Sequence, residues 1–324
     1  MAIALTDDHR ELGKVAEDFL VAQKARAAAR ELLEAPAEDR PPFWAALAEL
    51  GWLGLHVDEA HGGSGYGLPE LVVVVEALGS AVAPGPFVPT VVASAVLARH
   101  GSDEQKSRLL GGLTDGSVTA GVGFGGSVAV SDGTATGDAG VVLGAALADM
   151  LLIAAGDDVL LVDRNADGVT VDVPTNLDPT RRSGRVRLDG VAAEVLPGAA
   201  ADALAHARTL FAAEAVGGAN DCLRTAVEYA KVREQFGRTI ATFQAIKHHC
   251  ANMAVAAESA TALVWDAARA ADDVKPGEDS TQFRLMAAAA AASAFPAYVR
   301  NAELNIQVHG GIGFTWEHDA HLHL

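Results

Sequence analysis

Two short segments carry residue types suited to holding a phosphorylated ligand with a ring system. Residues 232–244 read VREQFGRTIATFQ. Arg233 offers a planar fork of donors that matches a pair of phosphate oxygens. Phe236 offers an aromatic face and Gln244 an amide that can serve a nucleotide. The spacing predicts a helix ending at Gly237 and another starting near Thr242. Composition alone favours a simpler picture, a helix hairpin with a solvated arginine. Residues 306–315 read IQVHGGIGFT, with Gln307 delivered by a helix and Gly310, Gly311 and Gly313 following. Three glycines in four residues let a backbone come close to a ligand, although a glycine helix stop is the plainer alternative.

Other candidates reduce to simpler readings. Residues 121–126 fit G-x-G-x-x-G, but a strand and an Asp132–Gly133 turn follow instead of a helix, so no helix N-terminus is available for a pyrophosphate. Glu214 and Glu317 are isolated acids on otherwise unremarked stretches, and each is more simply structural or solvated than a general base. His318, His321 and His323 have no acidic or cysteine partner at ligand spacing and read as solvated, with no metal. Cys222 and Cys250 lie far apart in helical segments and read as buried reduced thiols, not as a disulfide or zinc pair.

The elements that must position these groups fall into three blocks. Residues 1–116 are helical: Leu12, Val15, Phe19 and Leu20 recur at three- and four-residue spacing, a glycine-rich loop covers 61–67, and a long helix from about Leu68 is stopped by Pro84, Gly85 and Pro86. Ser102 followed by Gln105 reads as a capped helix start. Residues 117–200 alternate short Val/Leu/Thr runs with Asp-Gly and Gly-Asp turns, which predicts a small antiparallel β domain. Residues 201–324 are helical again: Ile246, Cys250, Met253, Ala257, Ala260 and Val264 step as bundle helices do, with a break at 276–279. The alanine-rich stretch 286–294 suits close helix packing.

Composition narrows the function. Of the 324 residues half are apolar, and the formal charge is −18. Such a surface repels phosphate backbones, which argues against nucleic acid and requires a local basic patch for any anionic ligand. The N-terminus lacks a basic start and a long apolar run. The longest apolar stretch, 139–156, contains Asp149 and several glycines and reads as buried strands rather than a membrane span. A cytoplasmic protein without a membrane partner is expected.

Taken together the ordered motifs resemble the acyl-CoA dehydrogenase family. R-x-x-F-G at 233–237, the glutamine at 244 and Q-x-x-G-G-x-G at 307–313 are similar to that family's C-terminal domain. LGWLGL at 50–55 leading into Gly62, Gly63 and Gly65 resembles its N-terminal domain, as does LTDG at 113–116 before the β domain. The resemblance implies a helical N-terminal domain, a β barrel-like middle domain and a C-terminal four-helix bundle. It implies FAD as cofactor, with Arg233, Phe236, Ile240, Phe243 and Gln244 meeting the FAD of a neighbouring subunit, and Gln307, Gly310, Gly311 and Gly313 near its diphosphate and adenosine. It further implies an acyl-CoA substrate, α,β-dehydrogenation to the enoyl-CoA, a homo- or hetero-oligomer, and an electron-accepting flavoprotein.

Three departures qualify that expectation. The Thr-Glu-Pro-x-x-Gly-Ser-Asp type segment that binds the flavin ring in the family is replaced by VGFGGS at 122–127. The family's helical glutamate base falls at Ala207, counted back from Arg233, and the alternative Glu-Gly position would lie beyond Leu324, so the C-terminal unit is expected to be truncated. The sequence is similar to actinobacterial acyl-CoA dehydrogenases of steroid side-chain catabolism, in which unlike subunits or fused halves pair and one half carries the base. Two roles follow: a dehydrogenating subunit, or a partner half that completes the flavin site of another unit.

Overall fold

The computed structural model describes residues 5–275 and 277–324. The sequence-based readings of the N-terminal start and of the break at 276–279 fall partly on residues 1–4 and on Pro276, outside the described residues.

Six helices form the first layer: α1 (Asp7–Ala22), α2 (Ala25–Leu32), α3 (Trp44–Glu49), α4 (Leu68–Ser80), α5 (Phe87–His100) and α6 (Asp103–Thr114). Local chemistry starts two of them. The Thr6 hydroxyl accepts from His9 N while His9 Nδ1 accepts from Thr6 N, and Ser102 and Gln105 form the same reciprocal box ahead of α6. α4 and α5 are apolar almost all round and lie in the main core, which also takes in Trp52, Leu53 and the inner faces of the C-terminal helices.

The middle layer is one eight-stranded sheet: β1 (Ala120–Gly123), β2 (Ser127–Ser131), β3 (Thr134–Leu143), β4 (Met150–Ala155), β5 (Asp158–Asp163), β6 (Val169–Asp172), β7 (Gly184–Ala192) and β8 (Glu194–Leu196). Its order is β6-β7-β3-β1-β4-β5-β8, with β2 paired to β3. The antiparallel expectation holds at every pair but one. β1 and β4 run parallel, with Ala120 opposite Met150, because the β2–β3 hairpin occupies the crossover between them. The apolar run 139–156 is also not wholly buried. Successive side chains on β3 point to opposite faces, so Val142 is inside while Val141 is 60% exposed.

Three long helices make the C-terminal layer among the described residues: α7 (Ala200–Val232), α8 (Gln244–Asp272) and α9 (Thr281–His309). α7 stops at Val232, earlier than the predicted Gly237. Phe236 and Gly237 both take positive φ (54° and 77°), a two-residue turn that pairs β9 (Glu234–Gln235) with β10 (Arg238–Thr239) as a small hairpin. The alanines of α9 do pack closely, with Ala287, Ala290 and Ala294 fully buried. Cys222 is buried, but Cys250 is only half-buried because its turn of α8 faces outward. No helix of the described residues is long and apolar enough to cross a membrane.

α4 crosses α7 at backbone contact. A Cβ at Gly79 would lie 2.0 Å from Glu214 O, and one at Gly217 would lie 1.9 Å from Glu76 O. Only glycine permits this approach. The start of α7 is fixed by Asp202, whose carboxylate meets Arg99 and His100 of α5 and Ser280 and Arg284 beside and on α9. Burial would raise this carboxyl, but the hydrogen bonds from His100, Ser280 and Arg284 outweigh it and hold it well below the usual carboxylate range.

At the same crossing Glu76 accepts from Trp265 Nε1 at 3.1 Å. Burial, opposed by that hydrogen bond, pushes its carboxyl up to about 8. A raised carboxyl favours folding fully below its unfolded pKa, and the contribution fades as pH rises through the folded value. Wild-type stability is therefore expected to decline from about pH 5 to pH 8. Glu76→Gln removes the part of this decline that Glu76 contributes and gains about 1–3 kcal/mol near pH 8. Urea unfolding of both proteins at several pH values checks it; parallel pH profiles would contradict the assignment.

Candidate functional site

The two chemistry-bearing segments meet at one end of the bundle. Ile240, in the 3-10 turn Ile240–Thr242, packs in the same apolar cluster as Tyr229 of α7 and Val308 of α9. Val232, next to Arg233, and His309, next to Gly310, line one cavity of about 480 Å³. Arg233 caps α7: its backbone N donates to Tyr229 O and its carbonyl accepts from Ile240 N, leaving the guanidinium at the exposed surface. Of the two arginines in this segment, Arg238 is the one engaged within the chain, its guanidinium lying 4.3 Å over the Phe243 ring.

Phe236 is 91% exposed, its ring edge-on to Phe243 at 6.1 Å. Gln244 opens α8 and is exposed, and Gln307 is exposed on the last turn of α9. The three glycines differ in kind. Gly310 ends α9 with φ +64°. A Cβ at Gly313 would sit 2.8 Å from the His309 Cβ, so packing demands a glycine there. A Cβ at Gly311 would meet nothing, so its backbone lies open to whatever approaches. From 231 to 247 four cations, Lys231, Arg233, Arg238 and Lys247, face one acid, Glu234, which is the local basic patch that an anionic ligand needs in a chain of charge −18. A guanidinium, two primary amides, a glycine backbone open to close approach and an exposed phenyl ring form a set of groups that fits the diphosphate and adenosine half of FAD.

In the segment 122–127, on the other half of such a site, Ser127 is the one polar side chain. Val122 lies buried in β1, Phe124 packs against the main core and Ser127 is exposed at the start of β2. No helix follows the G-x-G-x-x-G segment, only the β2 strand.

The two candidate acids differ: Glu214 is paired and Glu317 is exposed. Ala207 is 4% exposed within the core. Two turns on, Glu214 faces a cavity of about 300 Å³ lined also by Glu38, Asp178, Arg181, Phe211 and Pro89. Arg181 Nη1 pairs with Glu214 at 2.8 Å, and Nη2 donates to Ala83 O at 2.6 Å. Burial, with Asp178 adding, pushes the Glu214 carboxyl up against the pull of Arg181. Glu38 accepts from Arg182 N at 2.7 Å, and burial outweighs that bond to lift it to about 7. Sequence reading missed Arg181, Asp178 and Glu38, because nothing local marks a loop arginine as the partner of a helix glutamate. Glu317 is exposed beside the larger cavity.

The histidines near the C-terminus are not solvated as their spacing suggested. His323 is 7% exposed, accepting from Tyr298 OH at Nδ1 and donating to Asp221 from Nε2, each at 3.0 Å. Asp221 also meets Arg26 at 2.7 Å and pairs with Arg224. Burial alone would raise this carboxyl. The His323 bond and the charges of Arg26, His323 and Arg224 hold it at about 2 instead. A buried carboxylate needs such partners, and this need draws His323 inward.

This helix–sheet–helix order is matched at both ends by family descriptions. The acyl-CoA dehydrogenase N-terminal domain matches residues 6–117 and the acyl-CoA dehydrogenase C-terminal domain residues 198–324. Acyl-CoA dehydrogenase IpdE2 of Mycobacterium tuberculosis is 33% identical over 98% of this chain and 90% of its own length. Acyl-CoA dehydrogenase FadE34 of the same organism is 42% identical over 87% of this chain, which spans only 38% of that protein. Among solved structures, the Tcur3481–Tcur3483 steroid acyl-CoA dehydrogenase variant superposes with a TM-score of 0.89 at 30% identity, covering 98% of this chain and 91% of that one. The ChsE4–ChsE5 complex from Mycobacterium tuberculosis gives 0.88 at 26% identity, covering 100% and 92%. The chain belongs to the acyl-CoA dehydrogenase family, oxidoreductases that act on CH–CH bonds.

The Arg181–Glu214 pair is expected to behave as structure. Arg181→Met or Glu214→Leu alone leaves one buried charge uncompensated and costs about 3–5 kcal/mol, while the double variant recovers most of the loss. A double-mutant cycle by chemical denaturation tests this. Additive losses would show that the two groups do not depend on each other.

Proposed function

We propose that this chain is the flavin-completing half of an acyl-CoA dehydrogenase assembly that converts an acyl-CoA thioester to its enoyl-CoA. The observation that carries the reading is the state of α7: an alanine packed at 207, and a glutamate at 214 neutralised by Arg181. An acyl chain entering the adjoining cavity would lie against Glu38, Asp178 and the ion pair, and the loss of their hydration would oppose binding. The base then comes from another unit. FAD, when bound, would take up the hydride released from the thioester's β-carbon. In this chain Arg233 would bind the FAD diphosphate, Gln244 and Gln307 would orient the nucleotide, the open backbone at Gly310 and Gly311 would approach it, and Phe236, Ile240 and Phe243 would cover it.

The partner we favour is an unlike acyl-CoA dehydrogenase-like subunit or a fused second half. The complex among the similar structures and the greater length of FadE34 support this choice. The exposed Phe236, Phe314 and Trp316, at one end of the bundle, supply an apolar surface for such a contact. A steroid side-chain CoA is the proposed substrate class, supported by the steroid enzyme among the similar structures. An electron-accepting flavoprotein would reoxidise the assembly.

Arg233→Ala is expected to weaken FAD retention by about 10- to 100-fold, the loss of one charge-assisted bidentate contact of about 1.5–3 kcal/mol. Arg238→Ala, which breaks only the stacking on Phe243, weakens it less. Equal retention in the two variants, measured by flavin release on dilution, would remove the assignment of Arg233. Glu214→Gln and Glu317→Gln are each expected to keep most of the turnover per folded assembly. A fall of several orders of magnitude in either would show that this chain supplies the base.

A further inference from the structure

The glycine loop is flanked by aromatic rings in contact with one another. Tyr229 of α7, His309 on the last turn of α9 and His318 lie ring against ring, with centroid separations of 4.3 Å between Tyr229 and His309 and 4.3 Å between His309 and His318 and ring planes inclined by 31° and 47°. Hydrogen bonds set where the protons are. Asn305 O can only accept, so His309 Nδ1, 2.8 Å away, carries a proton. Ala320 N can only donate, so His318 Nδ1, 3.0 Å away, carries none. His318 is thereby the N-cap of the 3-10 turn Asp319–His323. That turn ties the segment down elsewhere: Asp319 pairs with Arg30 of α2, and His323 is buried against Tyr298 and Asp221.

Neutral His318 keeps its proton on Nε2. A second proton must go to Nδ1, where the Ala320 N–H already points. Two donors would then face each other, the cap would break, and a cation would sit against the His309 ring. His309 cannot share that charge readily, since burial, against its bond to Asn305, and the nearby His318 both disfavour its protonation. The charged and titratable groups facing the rings are Asp221, Glu228 and Tyr229 from α7, Arg26 from α2, and Glu317, Asp319 and His323 from the C-terminal segment. Of these residue types histidine is the one that ordinarily titrates between pH 5 and 8.

We propose that His318 is a proton-operated positioning residue: neutral, it latches residues 310–324 to the bundle and sets the Gly310–Gly313 backbone toward the flavin diphosphate, and protonated, it releases them. The flavin part rests on the function proposed above. Acid conditions would then loosen the cofactor without any change at Arg233.

Hydrogen–deuterium exchange of the complete protein tests the latch without flavin. Protection of the peptide spanning 315–324, corrected for the intrinsic rate, is expected to fall ~10-fold or more between about pH 7.5 and pH 5.5. His318→Asn keeps an oxygen that accepts from Ala320 N but does not titrate, and its protection is expected to stay level. His318→Phe keeps a ring but no acceptor, and is expected to be unprotected at both pH values. A level wild-type profile, or the same fall in His318→Asn, overturns the proposal. In the flavin-loaded assembly, FAD dissociation is expected to speed up over the same pH interval in the wild type and not in His318→Asn. If exchange switches while FAD retention does not, the latch stands and the assignment of this loop to the flavin falls.

Discussion

The close crossing of α4 and α7 is the constraint on which the arrangement depends. Gly79 and Gly217 let the two backbones touch, each against the residue that carries a buried glutamate on the opposite helix. This approach sets how deeply α7 enters the main core and therefore which of its turns face the sheet, the N-terminal helices and the far end of the bundle. A methyl group at either glycine would collide with a carbonyl, which a packed interior does not absorb without moving a helix. Buried charges then hold α7 at two points: Asp202 at the start, with partners on and beside α5 and α9, and Asp221 past the middle, with partners on α2, on α7 itself and in the C-terminal segment.

One helix is in this way divided between two kinds of work. Its first half sits among core alanines and an internal ion pair, an environment that stabilises the fold and offers no free carboxylate. Its end, where the hairpin turns back, presents uncommitted donors at the surface. By the family resemblance, a dehydrogenating unit can carry its base in the first half of this helix as well as phosphate contacts at the end. On the function proposed above the two requirements are divided between units, and this chain would meet the second. The acidic chain and the small basic patch at 231–247 agree with that division, because the attraction for an anion is confined to one place.

Much of this was legible in local sequence. Periodicity and turn residues gave helix, sheet and helix, since 3.6- and 2-residue patterns reflect burial on one face. The segments around Arg233 and Gly310 stood out because each is contiguous. What was not legible depends on partners far apart in the chain. Arg26 meets Asp221 across 195 positions, His323 meets it across 102, and Arg181 meets Glu214 from the loop between β6 and β7. The parallel β1–β4 pair was hidden for another reason, since alternation records which face a residue occupies and not which way a strand runs. The early end of α7 was hidden because a phenylalanine at positive φ has no propensity signal, and only the hairpin it enables explains it.

The flavin content of the purified chain, alone and after mixing with its natural partner half, tests the central claim most directly. Absorption spectroscopy with protein quantitation gives flavin per chain in each case, followed by acyl-CoA turnover of the same samples. Little flavin and no turnover are expected for the chain alone, and both flavin and turnover when the partner is present. A chain that alone retains one flavin and dehydrogenates an acyl-CoA would contradict it.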